Sequence, residues 1–297
     1  MTGETFTISA RDGRRLEVLT AGPPDGRPLF FHTGTPAGLM APAPVVDLAA
    51  QRGLRIVLCA RPGYQRSDPR PGRRVADVAD DVAAALDALS AGQFVTVGWS
   101  GGGPHALACA ALLPGRCLAA ATMAGVAPYR AEGLDWLAGM GPENVAEFGA
   151  AASDQDRLQS LLEDQARGLA AVQGPQVAAA FGELVAAADT AALTGEFADY
   201  LAASLRAAVS NGVAGWRDDD LAFVSDWGFS LAQAGSGAPV SIWQGGQDRM
   251  VPWAHGEWLA ANVPGARAHM LPGEGHLTLV TSFGQIAGEL LKLAGWA

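Results

Sequence analysis

The chain has little cysteine and no long apolar run. Its three cysteines, Cys59, Cys109 and Cys117, show no paired spacing. The sequence therefore predicts neither a disulfide framework nor a zinc site, and buried free thiols are expected, as suits a cytoplasmic protein. No run approaches the roughly 18 apolar residues of a membrane-spanning helix, and residues 1–15 lack the apolar core of a signal peptide. We expect an unexported protein without a membrane partner.

Charged residues are also scarce, and those present are mainly acidic. They make up 17% of the chain, with 20 Lys and Arg against 30 Asp and Glu, which gives a formal net charge of −10. Nucleic acid is not an expected partner, because it would be repelled by an acidic surface. Hydrophobic residues account for 49% of the 297 positions, which is ample for a core. The composition predicts a globular protein that folds alone and leaves its oligomeric state open.

Short apolar runs alternate with helical patterns over much of the chain. An antiparallel hairpin is predicted around Asp12-Gly13. Buried strands are then predicted at residues 29–31, 55–59, 94–97, 118–123, 240–243 and 266–271. Helical patterns are found at residues 44–51, 75–89 and 105–113, from about residue 252, and at residues 283–293. This alternation is typical of an α/β protein with a mostly parallel central sheet flanked by helices.

The alternation stops after Gly125, and from about residue 128 to residue 237 the pattern is helical. We therefore predict an α/β core domain, residues 1–126 and 238–297, with an inserted helical subdomain, residues 127–237. The acidic run Asp218-Asp219-Asp220 in this insert is predicted to be a solvated helix start. A metal site is the less favoured interpretation, because no histidine lies nearby.

Ser100 stands at the centre of Gly98-Trp99-Ser100-Gly101-Gly102, which fits the pattern G-x-S-x-G. The pattern lies between a predicted strand and a predicted helix, so a sharp turn must join them. Such a turn holds the serine in a strained conformation with its hydroxyl exposed, and the glycines let strand and helix approach closely. A plain tight turn or a phosphate-binding loop is the alternative for the pentapeptide alone.

A serine nucleophile needs a base, and the base needs a carboxylate to orient it. His276 is predicted to be the base, because it lies in a loop after a strand, where the sites of open α/β sheets are found. His32 is its main rival. Asp248 also lies in a loop after a strand and is the predicted acid. The alternatives are a structural role for His276 and, for Asp248, a helix N-cap or a surface partner of Arg249.

Together with the turn at Ser100, which resembles the family's nucleophile elbow, four motifs resemble the α/β-hydrolase superfamily, in the family's order and over nearly the whole chain. Gly34-Thr35-Pro36 resembles the family's H-G-x-P loop, and residues 61–67 resemble its R-P-G-x-G-x-S loop. Residues 245–252 resemble the acid loop G-x-x-D-x-x-V-P, and Gly275-His276 resembles the base loop. Thr33 and Gln65 depart from the usual histidine and glycine. The resemblance implies an α/β-hydrolase fold with an inserted helical cap, and the order Ser100, Asp248, His276 is that of its triad.

The resemblance also implies an oxyanion hole made of backbone N–H groups. One donor is Gly101, directly after the nucleophile, and the other is Thr35, with its neighbour Gly34 as the alternative. Each such donor is worth a factor of about 10² to 10³ in rate. No cofactor and no metal is implied.

In relatives of this family the inserted subdomain closes over the site and sets the substrate. Trp99 beside the nucleophile, and Trp136 and Trp227 near the ends of the cap, are predicted to line an apolar pocket, as are Tyr129 and Trp216. Ordinary packing of the cap on the core is an equal alternative for each of them.

The sequence thus predicts a cofactor-independent serine hydrolase with a small, partly apolar substrate. Hydrolysis of a carboxylic ester is the expected reaction. The same triad also serves lactone opening, C–C bond hydrolysis, imino-peptide cleavage and perhydrolysis, so these stay open. A function of another class stays open too, because some proteins of this fold are ligand receptors or signalling modules with negligible turnover.

Overall fold

One mixed sheet forms the centre of the computed structural model, which describes residues 3–297. Residues 1 and 2, with which the predicted core domain begins, lie outside the described residues. The strands are β1 (Glu4–Ser9), β2 (Arg15–Ala21), β3 (Arg27–His32), β4 (Leu54–Cys59), β5 (Phe94–Trp99), β6 (Cys117–Met123), β7 (Val240–Gly245) and β8 (Arg267–Leu271). They lie in the order β1-β2-β4-β3-β5-β6-β7-β8.

β2 runs antiparallel to both of its neighbours along this order, and the other strands share one direction. β1 and β2 form the predicted antiparallel hairpin, and β2 also pairs antiparallel with β4. The pairs from β4–β3 onwards to β7–β8 are parallel. The prediction of a mostly parallel sheet is confirmed. The carboxyl ends of the parallel strands therefore meet at one edge of the sheet, which is where sites of such folds lie.

Helices cover both faces of the sheet. They are α1 (Ala43–Ala50), α2 (Val78–Ala88), α3 (Gly103–Leu112), α4 (Pro142–Ser153), α5 (Gln155–Leu169), α6 (Val177–Phe181), α7 (Ala187–Ala192), α8 (Gly195–Ala208), α9 (Ala214–Val224), α10 (Leu231–Gly237), α11 (Trp253–Asn262) and α12 (Phe283–Leu293). Successive side chains of a strand point to opposite faces. Phe31 and Val95 accordingly belong to the core with α1 and α12, whereas Phe30 and Phe94 belong to the core with α2 and α3.

Between β6 and β7 the described chain is helical, from α4 to α10, and we call this stretch the helical segment. Its longer helices are amphipathic, and α5 buries Leu158 and Leu162 while α8 buries Leu205. The segment also contacts the loop that follows β3, because the N–H of Gly38 donates to Ser204 Oγ at 3.0 Å. It therefore lies next to the edge of the sheet where the parallel strands end.

The cysteines are free thiols. Cys109 and Cys117 are buried in the core, and Cys59 is half-buried. Burial raises the pKa of the Cys117 thiol to about 12.

Among residues 3–297, no helix has both the length and the apolar character needed to cross a membrane.

Candidate active site

Ser100 lies in a sharp turn between β5 and α3. Its φ angle is +57°, in the left-handed region that costs a residue with a side chain about 1–3 kcal/mol. Neighbouring glycines make the turn possible: a Cβ on Gly98 would overlap the Gly102 carbonyl oxygen, and a Cβ on Gly102 would overlap the His32 carbonyl oxygen. The serine is thus held in the geometry expected of a nucleophile elbow.

His276 and Asp248 lie in contact after the ends of β8 and β7. His276 Nδ1 is 2.8 Å from Asp248 Oδ2, and both side chains are buried. Burial alone would lower the pKa of His276, but attraction to the Asp248 carboxylate outweighs it, so the pKa is raised above its ordinary value. His276 and Ser100 line the same small cavity of about 90 Å³. The structure therefore brings the three predicted residues to one place.

The Asp248 carboxylate is fixed by its own loop. Its Oδ1 accepts hydrogen bonds from the backbone N–H groups of Met250 and Val251, at 2.9 and 2.8 Å, and its Oδ2 accepts one from Gln244 Nε2 at 3.1 Å. Arg249 instead lies 3.5 Å from Glu183. The carboxylate thus organises the turn before α11 and faces the imidazole at the same time.

His32, the rival base, lies in the core behind the elbow. Its Nε2 is 3.6 Å from the Cys109 sulfur, and burial lowers the pKa of this imidazole well below its ordinary value. It contributes to neither of the two cavities at Ser100. The geometry favours a structural role for His32.

The loop that follows β3 lies directly beside the serine. A Cβ on Gly34 would lie 3.3 Å from Ser100 Cβ, and a Cβ on Gly101 would lie 2.6 Å from Thr35 Oγ1. Both predicted oxyanion donors, Thr35 and Gly101, and the alternative Gly34 are therefore neighbours of the hydroxyl.

Buried ionic contacts hold this loop in place. Arg61 Nη1 donates to the Thr33 carbonyl oxygen at 2.8 Å, and Arg61 Nη2 donates to the Gly34 carbonyl oxygen at 2.7 Å. The Arg61 guanidinium also pairs with Asp219 of α9 at 2.7 Å, and Thr35 Oγ1 donates to the same carboxylate at 3.0 Å. The position of the loop is thus determined by residues distant in the sequence.

The prediction of a solvated acidic run is wrong. Asp218, Asp219 and Asp220 lie inside α9 and are buried. Burial would raise the pKa of Asp219, but Arg61 and Arg73 hold it below its usual value. The partners of Asp219 lie more than a hundred residues earlier in the chain, so no local pattern could reveal them.

A second carboxylate of the helical segment, also missed from the sequence, holds the base loop. Asp189 of α7 accepts hydrogen bonds from the backbone N–H groups of His276, Leu277 and Thr278, at 2.9, 2.8 and 3.0 Å. Asp189 is fully buried, and a Cβ on Gly275 would overlap its carboxylate. Because these donors are backbone groups, no residue type in the sequence indicates the contact.

A larger cavity of about 630 Å³ extends from Ser100 into the helical segment. Its walls are mostly apolar and include Phe148, Leu169, Val172, Phe181, Leu205 and Phe223. Trp216, for which the sequence left a lining role and a packing role equally open, is among the residues that line it. Trp99 lines the smaller cavity, and its indole N–H donates to the His276 carbonyl oxygen at 3.2 Å.

Trp136 and Trp227 lie outside both cavities at Ser100. The Trp136 indole donates to the Ala127 carbonyl oxygen at 2.7 Å and packs on Phe148. The Trp227 indole donates to the Phe223 carbonyl oxygen at 3.2 Å and lines a separate cavity near Trp258. The packing alternative therefore fits both residues, and we do not retain them as substrate contacts.

Within residues 3–297, no group of three or more His, Cys, Asp or Glu side chains could hold a metal ion.

Comparison with known proteins identifies the family. Residues 27–283 match the family of the alpha/beta hydrolase fold. A non-heme chloroperoxidase of Streptomyces lividans is 33% identical over 147 residues, which are 49% of this chain and 53% of that protein, so the match spans about half of the relative. The chain belongs to the α/β hydrolase fold family and is a hydrolase.

Solved structures agree on the fold. A hydrolase from Pseudomonas aeruginosa PA01 superposes with a TM-score of 0.70 at 20% identity, over 99% of this chain and 100% of that one. A proposed aryl esterase from Burkholderia cenocepacia superposes with a TM-score of 0.67 at 21% identity, over the same shares. The predicted α/β-hydrolase fold is confirmed.

Proposed function

We propose that the protein hydrolyses carboxylic esters of small, partly apolar acids or alcohols through an acyl-enzyme on Ser100. The observation that supports this most directly is the 2.8 Å contact of His276 with Asp248, beside a strained serine that lines a mostly apolar cavity. A serine, an imidazole and a carboxylate in this arrangement perform nucleophilic acyl transfer.

In the proposed reaction, Ser100 Oγ attacks the ester carbonyl carbon while His276 Nε2 takes the hydroxyl proton. Asp248 keeps the other imidazole proton on Nδ1 and stabilises the imidazolium. The N–H groups of Gly101 and Thr35 stabilise the oxyanion. His276 then gives its proton to the leaving alcohol. A water molecule, deprotonated by His276, finally releases the acid and restores the serine hydroxyl.

We also propose that residues 127–237 act as a cap on a core formed by residues 1–126 and 238–297. The larger cavity supports this, because its lining comes from both parts: Ser100 and Gly101 from the core, Phe148 and Trp216 from the helical segment. A cap in this position would set the chain length that the enzyme accepts.

The test is a panel of aryl esters of increasing acyl length, lactones and diketones, run beside labelling with a fluorophosphonate. We expect hydrolysis of esters, and labelling that Ser100→Ala abolishes. Ser241→Ala is the control, because Ser241 is a buried serine that accepts a hydrogen bond from Trp243 and lines neither cavity at Ser100. Labelling without turnover of any substrate would favour a ligand receptor over an enzyme.

Perhydrolysis is a second candidate, favoured by the identity to a chloroperoxidase. The acyl-enzyme would pass its acyl group to hydrogen peroxide instead of water, giving a peracid. Formation of peracetic acid from acetate and hydrogen peroxide, lost in Ser100→Ala, would support it. Ester hydrolysis without peracid formation would exclude it.

A further inference from the structure

The wall of the larger cavity contains a buried carboxyl group. Glu147 of α4 lines this cavity and is only 6% exposed. The indole N–H of Trp216, which lines the same cavity, donates to Glu147 Oε1 at 2.9 Å, and the amide of Gln165 lies beside the same carboxyl. The carboxyl is therefore held in a fixed orientation at the cavity wall.

A second carboxyl group neighbours the first. Asp220 of α9 is fully buried, and neither of its oxygens has a hydrogen-bond partner among the described residues. Its carboxyl neighbours that of Glu147, and because both groups are acceptors when ionised, they can bond to each other only when one of them carries a proton. Burial raises the pKa of Glu147 to about 7, and burial together with the neighbouring carboxylates raises the pKa of Asp220. The pair therefore keeps a proton when no positive charge lies beside it, and a cation bound there would allow it to ionise.

No basic side chain at the cavity compensates the pair. Among the described residues, the lining of the cavity contains no Lys, Arg or His, but it contains a further carboxyl, Glu143. Arg73 acts on Asp220 through its charge, but its terminal nitrogens are already bonded to Asp219 and to the Gly215 carbonyl oxygen. A buried negative charge is costly unless it is paired.

We propose that this part of the cavity wall binds the ammonium group of a substrate, with Glu147 in direct contact and Asp220 as a second carboxylate that does not line the cavity. The inference rests on the proposed ester hydrolysis and adds a substrate class: esters whose apolar chain ends in a protonated amine. An ammonium group supplies three donors and the missing positive charge. A substrate that ends in a carboxylate would be repelled by the same groups.

The kinetic test uses matched pairs of para-nitrophenyl esters with side chains of increasing length. In each pair, one chain ends in a methyl group and the other in an ammonium group of the same size. We call the ratio of their kcat/KM values the ammonium preference. We expect a preference of about tenfold or more at the best length, which corresponds to one unit of log affinity. A preference of one or less at every length would overturn the inference while leaving ester hydrolysis intact.

Two substitutions assign the preference to the carboxyl pair. Glu147→Gln keeps an acceptor for Trp216 but removes the charge, and we expect it to reduce the preference to about one; Asp220→Asn should reduce it in the same direction. Asp218→Asn is the matched control, because Asp218 is buried on the same helix but pairs with Arg217, and it should retain the preference. A preference that survives both substitutions at the pair would place the ammonium site elsewhere.

A binding measurement separates failure of this inference from failure of the proposed reaction. Calorimetry on Ser100→Ala compares linear alkylammonium ions with alcohols of equal length. Tighter binding of the ammonium ion, lost when Glu147→Gln is added, would support the site even if no ester is hydrolysed. Equal binding of ion and alcohol would indicate a neutral, purely structural carboxyl pair and would overturn the inference.

Discussion

At the scale of single residues, the environment of each buried histidine decides which one can act as a base. Burial lowers the pKa of His105 to about 3 and that of His255 to about 4, so both imidazoles stay neutral. His276 is as deeply buried, yet its pKa is raised, because Asp248 and Asp189 stabilise the imidazolium. An imidazolium forms transiently in acyl transfer, so only His276 is prepared for that role.

The first prediction concerns the pH profile of this histidine. Protonated His276 cannot take the serine proton, so kcat/KM should fall with decreasing pH below a pKa that lies above the ordinary value for histidine. Asp248→Asn should lower kcat by about 10³-fold or more, because an amide favours the wrong tautomer, and should move this acid limb to lower pH. The measurement is kcat/KM against pH for both proteins.

Unchanged kcat in Asp248→Asn would contradict the assignment. The next carboxylate to test would then be Asp189, whose charge also raises the pKa of His276. The oxygens of Asp189, however, already accept hydrogen bonds from backbone N–H groups. A correctly folded variant is required for the comparison, so its melting temperature is measured alongside.

At the scale of elements, one buried ion cluster joins α9 to the loop after β3. The cluster consists of Arg61, Tyr64, Arg73 and Asp219, with Tyr64 Oη donating to Asp219 Oδ2 at 2.9 Å. Because Arg61 also binds the carbonyl oxygens of Thr33 and Gly34, the cluster transmits the position of a helix to the proposed oxyanion loop.

The second prediction is that Asp219→Asn destabilises the fold and lowers activity together. Two guanidinium groups, Arg61 and Arg73, would lose their buried counter-charge, and breaking such a pair costs about 3–5 kcal/mol. The loop should then shift, which lowers kcat more than it raises KM. Asp218→Asn should cost much less, because its partner Arg217 is one-third exposed. Equal melting temperatures for the two variants would argue against the cluster.

The third prediction concerns the contact of α7 with the base loop. In Asp189→Asn, one carboxylate oxygen becomes an NH₂ group that faces backbone N–H donors of residues 276–278, so the loop cannot keep its position. A displacement of about 1 Å at a reacting group costs roughly 10²-fold in rate. The acid limb of kcat/KM should also move to lower pH, because the charge of Asp189 raises the pKa of His276.

A merely structural role for Asp189 would lower the melting temperature without moving the acid limb. Asp189→Glu is the second variant: it restores the charge with one more methylene, and it should restore the acid limb more fully than kcat.

Local turns at the site can be predicted from the sequence, whereas contacts between residues distant in the chain cannot. The elbow, the turn at Asp248 and the loop at His276 are local, since glycines and neighbouring strands define each of them, and each follows a strand, as the sequence predicts. Asp189 and Asp219 lie in ordinary helical patterns, and their partners are fixed only by tertiary packing. For the same reason, the sequence could not show that Trp216 lines the cavity while Trp136 packs beneath it.

At the scale of the whole molecule, the helical segment is tied to both loops that the proposed chemistry needs. Asp189 reaches the base loop, and Asp219 reaches the loop of Gly34 and Thr35 through Arg61. The proposed cap is therefore a structural part of the site and not only a cover for substrate. Some of its aromatic residues should therefore stabilise its packing against the rest of the chain, and others should shape the cavity.

The fourth prediction tests this division with two tryptophans. Trp227 is buried where the segment returns to the core, and its carbonyl oxygen accepts a hydrogen bond from the N–H of Ala76 at 2.8 Å. Trp227→Ala should cost about 3–5 kcal/mol, lower the melting temperature by roughly 5–15 °C, and reduce kcat/KM alike for every acyl length. Trp216→Phe removes the donor to Glu147 at the cavity wall, so it should change kcat/KM unevenly across the acyl series with a smaller loss of stability. If Trp227→Ala instead changes kcat/KM unevenly across the acyl series while the protein stays as stable as the wild type, the indole contacts substrate. The packing of the helical segment against the rest of the chain must then depend on other residues.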